Sequence, residues 1–144
     1  MAIKNYTTKI EAGVSLGEIQ SALAKAGATK IMAEYKDGEP ISITFGIAIG
    51  ETHCAFSLPE NAEGVAAVLK SQNVKADKNQ VMRIAWRNVR DWVLAQIALI
   101  EAGNAEISQV FLPYMTDNNG NTLYQLVATG KLSLPNTKDG EIDA

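Results

Sequence analysis

The chain has 144 residues and a net charge of −3, with 47% hydrophobic and 20% charged residues. This is a globular composition, and it excludes a disordered tail, a collagen or a polar low-complexity polymer. A single cysteine, Cys54, and a single histidine, His53, exclude an internal disulfide, a cysteine-built zinc site and a multi-histidine metal centre.

Residues 1–10 lack the apolar run of a signal peptide. The longest helical segment carries Arg83, Arg87, Arg90 and Asp91, too many charges for a membrane span. With the lone thiol, these features give the expectation of a cytoplasmic protein without membrane contact.

Lys4–Ile10 contains β-prone residue types and reads as a short strand. Ser15-Leu-Gly-Glu18 has capping-box form and predicts a helix that carries Leu16, Ile19, Leu23 and Ala26 to Gly27. Three alternating runs follow, Ile31–Tyr35, Ile41–Ile49 and Thr52–Leu58, and predict three strands with one buried face.

A two-residue turn at Gly50-Glu51 places Ile47 opposite Cys54 and Phe45 opposite Phe56. In the first hairpin, a two-residue Asp37-Gly38 turn would bring Glu34 opposite Ile41 on the apolar face. A longer loop from Lys36 to Pro40 instead sets Tyr35 against Ile41 and Ala33 against Ile43, and is preferred.

Ser57-Leu-Pro-Glu60 reads as a second capping box, opening a helix that ends near Ser71. After a polar connector, Asp77-Lys-Asn-Gln80 opens the longest helix, which runs to Ala102 and stops at Gly103. Its apolar stripe of Met82, Trp86, Val89, Val93, Ile97 and Ile100 is widened by Val81, Ala85, Trp92 and Leu99. A stripe this broad calls for contact on two sides, in the core or at a subunit seam.

Residues 107–115 (ISQVFLPYM) fit a helix or a strand, and Pro113 argues against a central strand. Asp117–Asn121 is a turn cluster, and Thr122-Leu-Tyr-Gln125 opens a short helix to Gly130. Residues 135–144 read as a flexible acidic tail after a single domain of residues 1–134.

The main polar constellation is Arg83, Arg87 and Arg90, spaced to lie along one side of the long helix. Guanidinium groups in a row suit phosphates. The same row also fits a solvated helix face or a contact with a partner. Lys36, on the polar face of the predicted sheet, completes the basic set. His53 and Cys54 are strand neighbours on opposite faces, which separates them as a catalytic pair. No phosphate-binding glycine loop is present, and Asp117–Asn121 lacks the spacing of a calcium loop. No catalytic residue, metal ligand or cofactor is assigned.

The segments Ala85-Trp-Arg87, Asp91-Trp92 and Ala95-Gln96, followed by Phe111-Leu-Pro-Tyr114 and Thr122-Leu-Tyr124, form a recognisable set. With Phe56-Ser-Leu-Pro59 before them, they resemble a family of small uncharacterised tailed-bacteriophage and prophage proteins. The resemblance covers most of residues 28–125 and implies a phage accessory role; it carries no functional residues. The helix, three strands, helix order between Ser15 and Ser71 also resembles a double-stranded RNA-binding domain. The acidic Pro59–Glu63 segment is the wrong charge for that domain's phosphate-straddling helix.

The expected fold is α+β, a three- or four-stranded antiparallel meander covered by helices, with a long C-terminal helix. The leading functional expectation is a non-enzymatic phage accessory protein that binds single-stranded nucleic acid through Arg83, Arg87, Arg90 and Lys36 during replication or recombination. The alternatives are a protein-interaction module, such as an inhibitor of a host enzyme or defence system, and a small-nucleotide sponge. A homo-oligomer in the host cytoplasm is expected in each case.

Overall fold

The structure, a computed structural model, describes residues 1–133 and Pro135. The fold is α+β, among the described residues a three-stranded antiparallel sheet in the order β1-β2-β3 with five α-helices. The strands are β1 (Lys30–Lys36), β2 (Glu39–Ile49) and β3 (Thr52–Pro59). The helices are α1 (Ala12–Lys25), α2 (Ala62–Ser71), α3 (Lys78–Glu101), α4 (Ile107–Phe111) and α5 (Leu123–Ala128). The long helix α3 therefore sits mid-chain rather than at the C-terminus.

The second hairpin follows its alternation pattern. Gly50, at φ +60°, turns the chain, and Ile47 faces Cys54 while Phe45 faces Phe56. The two rings stack with centroids 5.1 Å apart.

The first hairpin reconciles the two arrangements that the sequence sets against each other. Asp37 and Gly38 have φ of 52° and 80°, a two-residue turn closed by Lys36 and Glu39. A bulge between Glu34 and Tyr35 absorbs Ile41, so Ala33 still faces Ile43 and Tyr35 faces Pro40. The extra residue restores the apolar register that a regular ladder would lose. The longer Lys36–Pro40 loop is thus replaced by a tight turn and a bulge.

Three further local expectations give way to tertiary contacts. Lys4–Thr7 forms turns rather than a strand, with Asn5 at φ 67°. The Asn5 carboxamide donates to Asn88 and Asp91 of α3, 2.8 Å each, and Gln80 donates to the carbonyls of Tyr6 and Thr8. These bonds pin residues 5–8 against the long helix.

Helix α1 starts at Ala12, ahead of the Ser15 capping box. Ser15 is fully buried inside the helix, and Glu18 turns outward to arginines of α3. Ser57 and Leu58 stay in β3, opposite Thr44 and Ile43, because Leu58 is fully buried there. Helix α2 begins only after Asn61, whose left-handed φ of 56° redirects the chain.

Helix α3 is capped at Asp77, whose carboxylate accepts from the Gln80 amide at 2.8 Å. It ends at Gly103, φ +79°, where Asn104 N–H donates to the Leu99 carbonyl and Gly103 N–H to Ile100. Two clusters bury most of its broad apolar surface, and Leu99, 47% exposed, stays outside them. Met82, Trp86, Val93 and Ile97 pack with Leu16, Ile19 and Leu23 of α1, the inner face of the sheet and Phe111. Ile84 and Ala85 pack with Val65 and Leu69 of α2. Trp86 is fully buried, and its indole N–H donates to the Pro40 carbonyl at 3.0 Å. The stripe is thus covered from two sides within one chain.

The order helix, three strands, helix holds, but α1 lies against α3 rather than α2. Segment 107–115 combines both expectations. It is helical to Phe111, tightens into a 3-10 turn at Leu112–Tyr114, and ends in a bridge from Met115 to Phe56. The predicted tail lies outside the described residues apart from Pro135.

Candidate functional site

Two places gather polar or aromatic side chains. The first is the seam between α1 and α3. The four- and three-residue spacing of Arg83, Arg87 and Arg90 turns all three toward α1, where carboxylates meet them. Arg83 Nε lies 3.2 Å from Glu11 Oε1, and Arg87 Nη1 lies 2.9 Å from Glu18 Oε2. Arg90 Nε lies 2.6 Å from the same Glu18 oxygen, and Arg90 Nη1 is 3.0 Å from Asp91. Arg87 is the most enclosed, with 14% of its side chain exposed, and it also donates to the buried Ser15 hydroxyl at 3.4 Å.

The seam is electrostatically matched. The Arg90 hydrogen bond, aided by Arg87, holds the Glu18 carboxyl below its usual value. Burial pushes Asp91 up, but hydrogen bonds from Asn5, Arg90 and Lys4 together outweigh it and hold that carboxyl down. Asp91 and Glu18 in turn raise Arg90. Every cation of the row has a carboxylate within salt-bridge distance, so a phosphate would have to displace an internal partner.

Lys36 stands apart from this row. It lines a cleft with Asp37, Glu39, Glu60 and Glu63, an acidic setting that contains no arginine. The structure therefore brings the three arginines together and leaves Lys36 elsewhere. Glu11 and Glu18 are the partners that sequence reasoning missed. They lie about seventy residues before the arginines they pair with, and no local pattern joins them.

The second place is a cleft of about 470 Å³ at the end of β3, lined by Ser57, Pro59, Pro113, Tyr114, Thr122 and Tyr124. An aromatic ladder positions its floor. Phe45 meets Phe111 edge-on at 5.5 Å, Phe111 meets Trp92 at 5.4 Å, and Trp92 meets Tyr114 at 5.4 Å. Such contacts are worth ~0.5–1.5 kcal/mol each beyond area burial. They fix Tyr114 relative to the core.

The opposite wall is α5. Thr122 and Gln125 form a reciprocal cap, with the Gln125 amide 3.2 Å from Thr122 Oγ1 and the Thr122 amide 2.9 Å from Gln125 Oε1. Thr116 N–H donates to the Ala55 carbonyl and Leu123 N–H to the Met115 carbonyl, each at 2.8 Å. The turn between them closes on Asp117, which accepts the amides of Asn119 and Asn121 at 2.9 Å. The Asn121 and Asn119 amides hold the Asp117 carboxyl below its usual value. Tyr124 then stands 66% exposed at the rim.

The sequence shows Tyr114 and Tyr124 only as unplaced aromatics. Their adjacency depends on the Thr116–Thr122 bridge, which returns α5 to the turn at Leu112–Tyr114. Three short motifs of the sequence supply the cleft. Ser57 and Pro59 come from F-S-L-P, Pro113 and Tyr114 from F-L-P-Y, and Thr122 and Tyr124 from T-L-Y.

His53 is exposed on β3, whereas Cys54 packs half-buried against the main core. Among the described residues, no group of three or more His, Cys, Asp or Glu side chains is placed to hold a metal ion. Among them, too, no helix is long and apolar enough to cross a membrane. Comparison with known families, with curated proteins and with solved structures gives no match.

Proposed function

We propose that this chain is a non-enzymatic phage accessory protein of the host cytoplasm that binds another protein. The cleft at Tyr114 and Tyr124 would receive an extended, proline-containing segment of that partner. One observation carries this reading: the F-S-L-P, F-L-P-Y and T-L-Y segments converge on one cleft with an exposed aromatic rim. Aromatic faces beside prolines suit an extended chain with little ordering cost, and Ser57, Thr122 and Gln125 supply polar groups to orient it.

The single-stranded nucleic-acid reading rests on Arg83, Arg87 and Arg90. Their engagement by Glu11, Glu18 and Asp91 lowers its support. A nucleotide sponge would draw on the same arginines and inherits the same objection.

Two measurements on the full chain separate the readings. Anisotropy of a labelled single-stranded oligonucleotide at low salt is expected to show no binding. Capture from infected-host lysate is expected to recover one protein in stoichiometric amount with wild type and with Arg83→Ala, and to lose it with Tyr124→Ala. Salt-sensitive oligonucleotide binding that Arg83→Ala abolishes would reverse the assignment in favour of the arginine row.

A further inference from the structure

The sheet has two unlike edges. At the β3 edge, Met115 bridges to Phe56 and Thr116 donates to the Ala55 carbonyl. At the β1 edge, no described residue pairs. A bare seven-residue strand is a template for further pairing. We infer that β1 pairs antiparallel with β1 of a second copy of this chain, with Met32 on the two-fold axis, giving a continuous six-stranded sheet.

The ladder pattern shows which groups are available. The tight turn closes on the pair Ile49 and Thr52, so odd-numbered residues of β2 bond to β3 and even-numbered ones to β1. Lys30, Met32 and Glu34 lie opposite Gly46, Thr44 and Ser42 and bond inward. Ile31, Ala33 and Tyr35 therefore present their backbone groups outward.

Charge selects the register. Lys30, Met32 and Glu34 share the outer face of the sheet, and neither Lys30 nor Glu34 has an ion-pair partner among the described residues. With Met32 opposite Met32, Lys30 of each protomer faces Glu34 of its partner, and Ile31 faces Ala33. These charged pairs fall at non-hydrogen-bonded positions, where side chains are closest. A shift of one residue in each protomer, centring the axis on Ala33, would set Lys30 against Lys36. Centring it on Glu34 would set two glutamates face to face. Burial agrees: Met32 is 56% exposed, and Ile31 and Ala33 pack against the core yet stay only half-buried.

The test is a charge exchange followed by sedimentation of the full chain. Wild type is expected to dimerise with rising concentration. Lys30→Glu alone and Glu34→Lys alone each set like charges opposite one another at both ends, and each is expected to weaken self-association at least ~10-fold. An equimolar mixture of the two variants restores both opposite-charge pairs and is expected to sediment as a dimer. This recovery separates a broken seam from a misfolded chain.

Met32→Cys is expected to form an intermolecular disulfide under mild oxidation, since the non-hydrogen-bonded pair brings the two Cα atoms within disulfide range. A wild-type chain that stays monomeric to millimolar concentration would overturn the inference. So would single variants that dimerise like wild type, or a mixture that stays monomeric.

Discussion

The α1–α3 seam and the cleft beside α5 are both joints between distant parts of the chain, built from opposite chemistries. At the seam, three guanidinium groups meet carboxylates, and every charge is answered from within. At the cleft, an aromatic ladder runs out from Phe45 to Tyr114 and ends at a rim where Tyr124 faces solvent. A closed polar joint fixes orientation and offers little to a ligand. An open aromatic joint is anchored in the core and leaves contact surface free at its rim. A row of arginines is thus a poor indicator of a binding face until its partners are known.

The largest break in this contrast comes from the cleft's foundation. Phe111→Ala removes a fully buried ring that touches both Phe45 and Trp92. A loss of ~3–5 kcal/mol is expected in urea unfolding, with loss of the near-ultraviolet signal of Trp92. At the seam, Arg87→Met keeps the aliphatic packing but strips a partner from Glu18 and from the buried Ser15 hydroxyl. A loss of ~1–3 kcal/mol is expected by the same measurement. If Arg87→Met proved neutral, the seam would be ornamental and the arginines available to a ligand.

Thr122→Ala removes the side-chain acceptor that caps α5. It is expected to cost ~1 kcal/mol and to weaken partner capture by loosening Tyr124.

The smallest effect is electrostatic. Glu18→Gln should cost under ~1 kcal/mol at neutral pH, since the carboxylate is partly solvated. The folded protein holds the Glu18 carboxyl below its usual value of 4.5. Its contribution is therefore fully present above that pH and fades as pH falls through the lowered folded value. Asp91 acts in the same direction. Wild type should lose more stability than Glu18→Gln between neutral pH and pH ~3, as read from melting temperatures. An equal acid response in both proteins would remove Glu18 from the seam's energetics.

Period-two alternation made β2, β3 and their register legible, because Phe45, Ile47, Cys54 and Phe56 must share one face. The bulge at Glu34 was not legible as such. Asp37-Gly38 signalled a tight turn, Ile43 signalled the opposite register, and only a third dimension lets both stand. Two capping boxes misled for one reason. Ser15 found burial, Ser57 a place in β3 beside the buried Leu58, and Glu18 two arginines, all stronger claims than a local cap. At Thr122 and Gln125 nothing competes, and the box forms. The arginine row was visible as a row, but its neutralisation and the meeting of Tyr114 with Tyr124 depend on contacts between distant segments.

The Glu18 ion pairs also set an order of events. Glu18 and its arginines are 69 and 72 residues apart in the chain, whereas the two hairpins close over two-residue turns. Loop-closure entropy favours the hairpins first and the seam last. The seam should thus be absent from the folding transition state. Arg87→Met should speed unfolding while leaving the refolding limb of a chevron almost unmoved. The lifetime of the folded protein would then be governed by its latest-formed contacts.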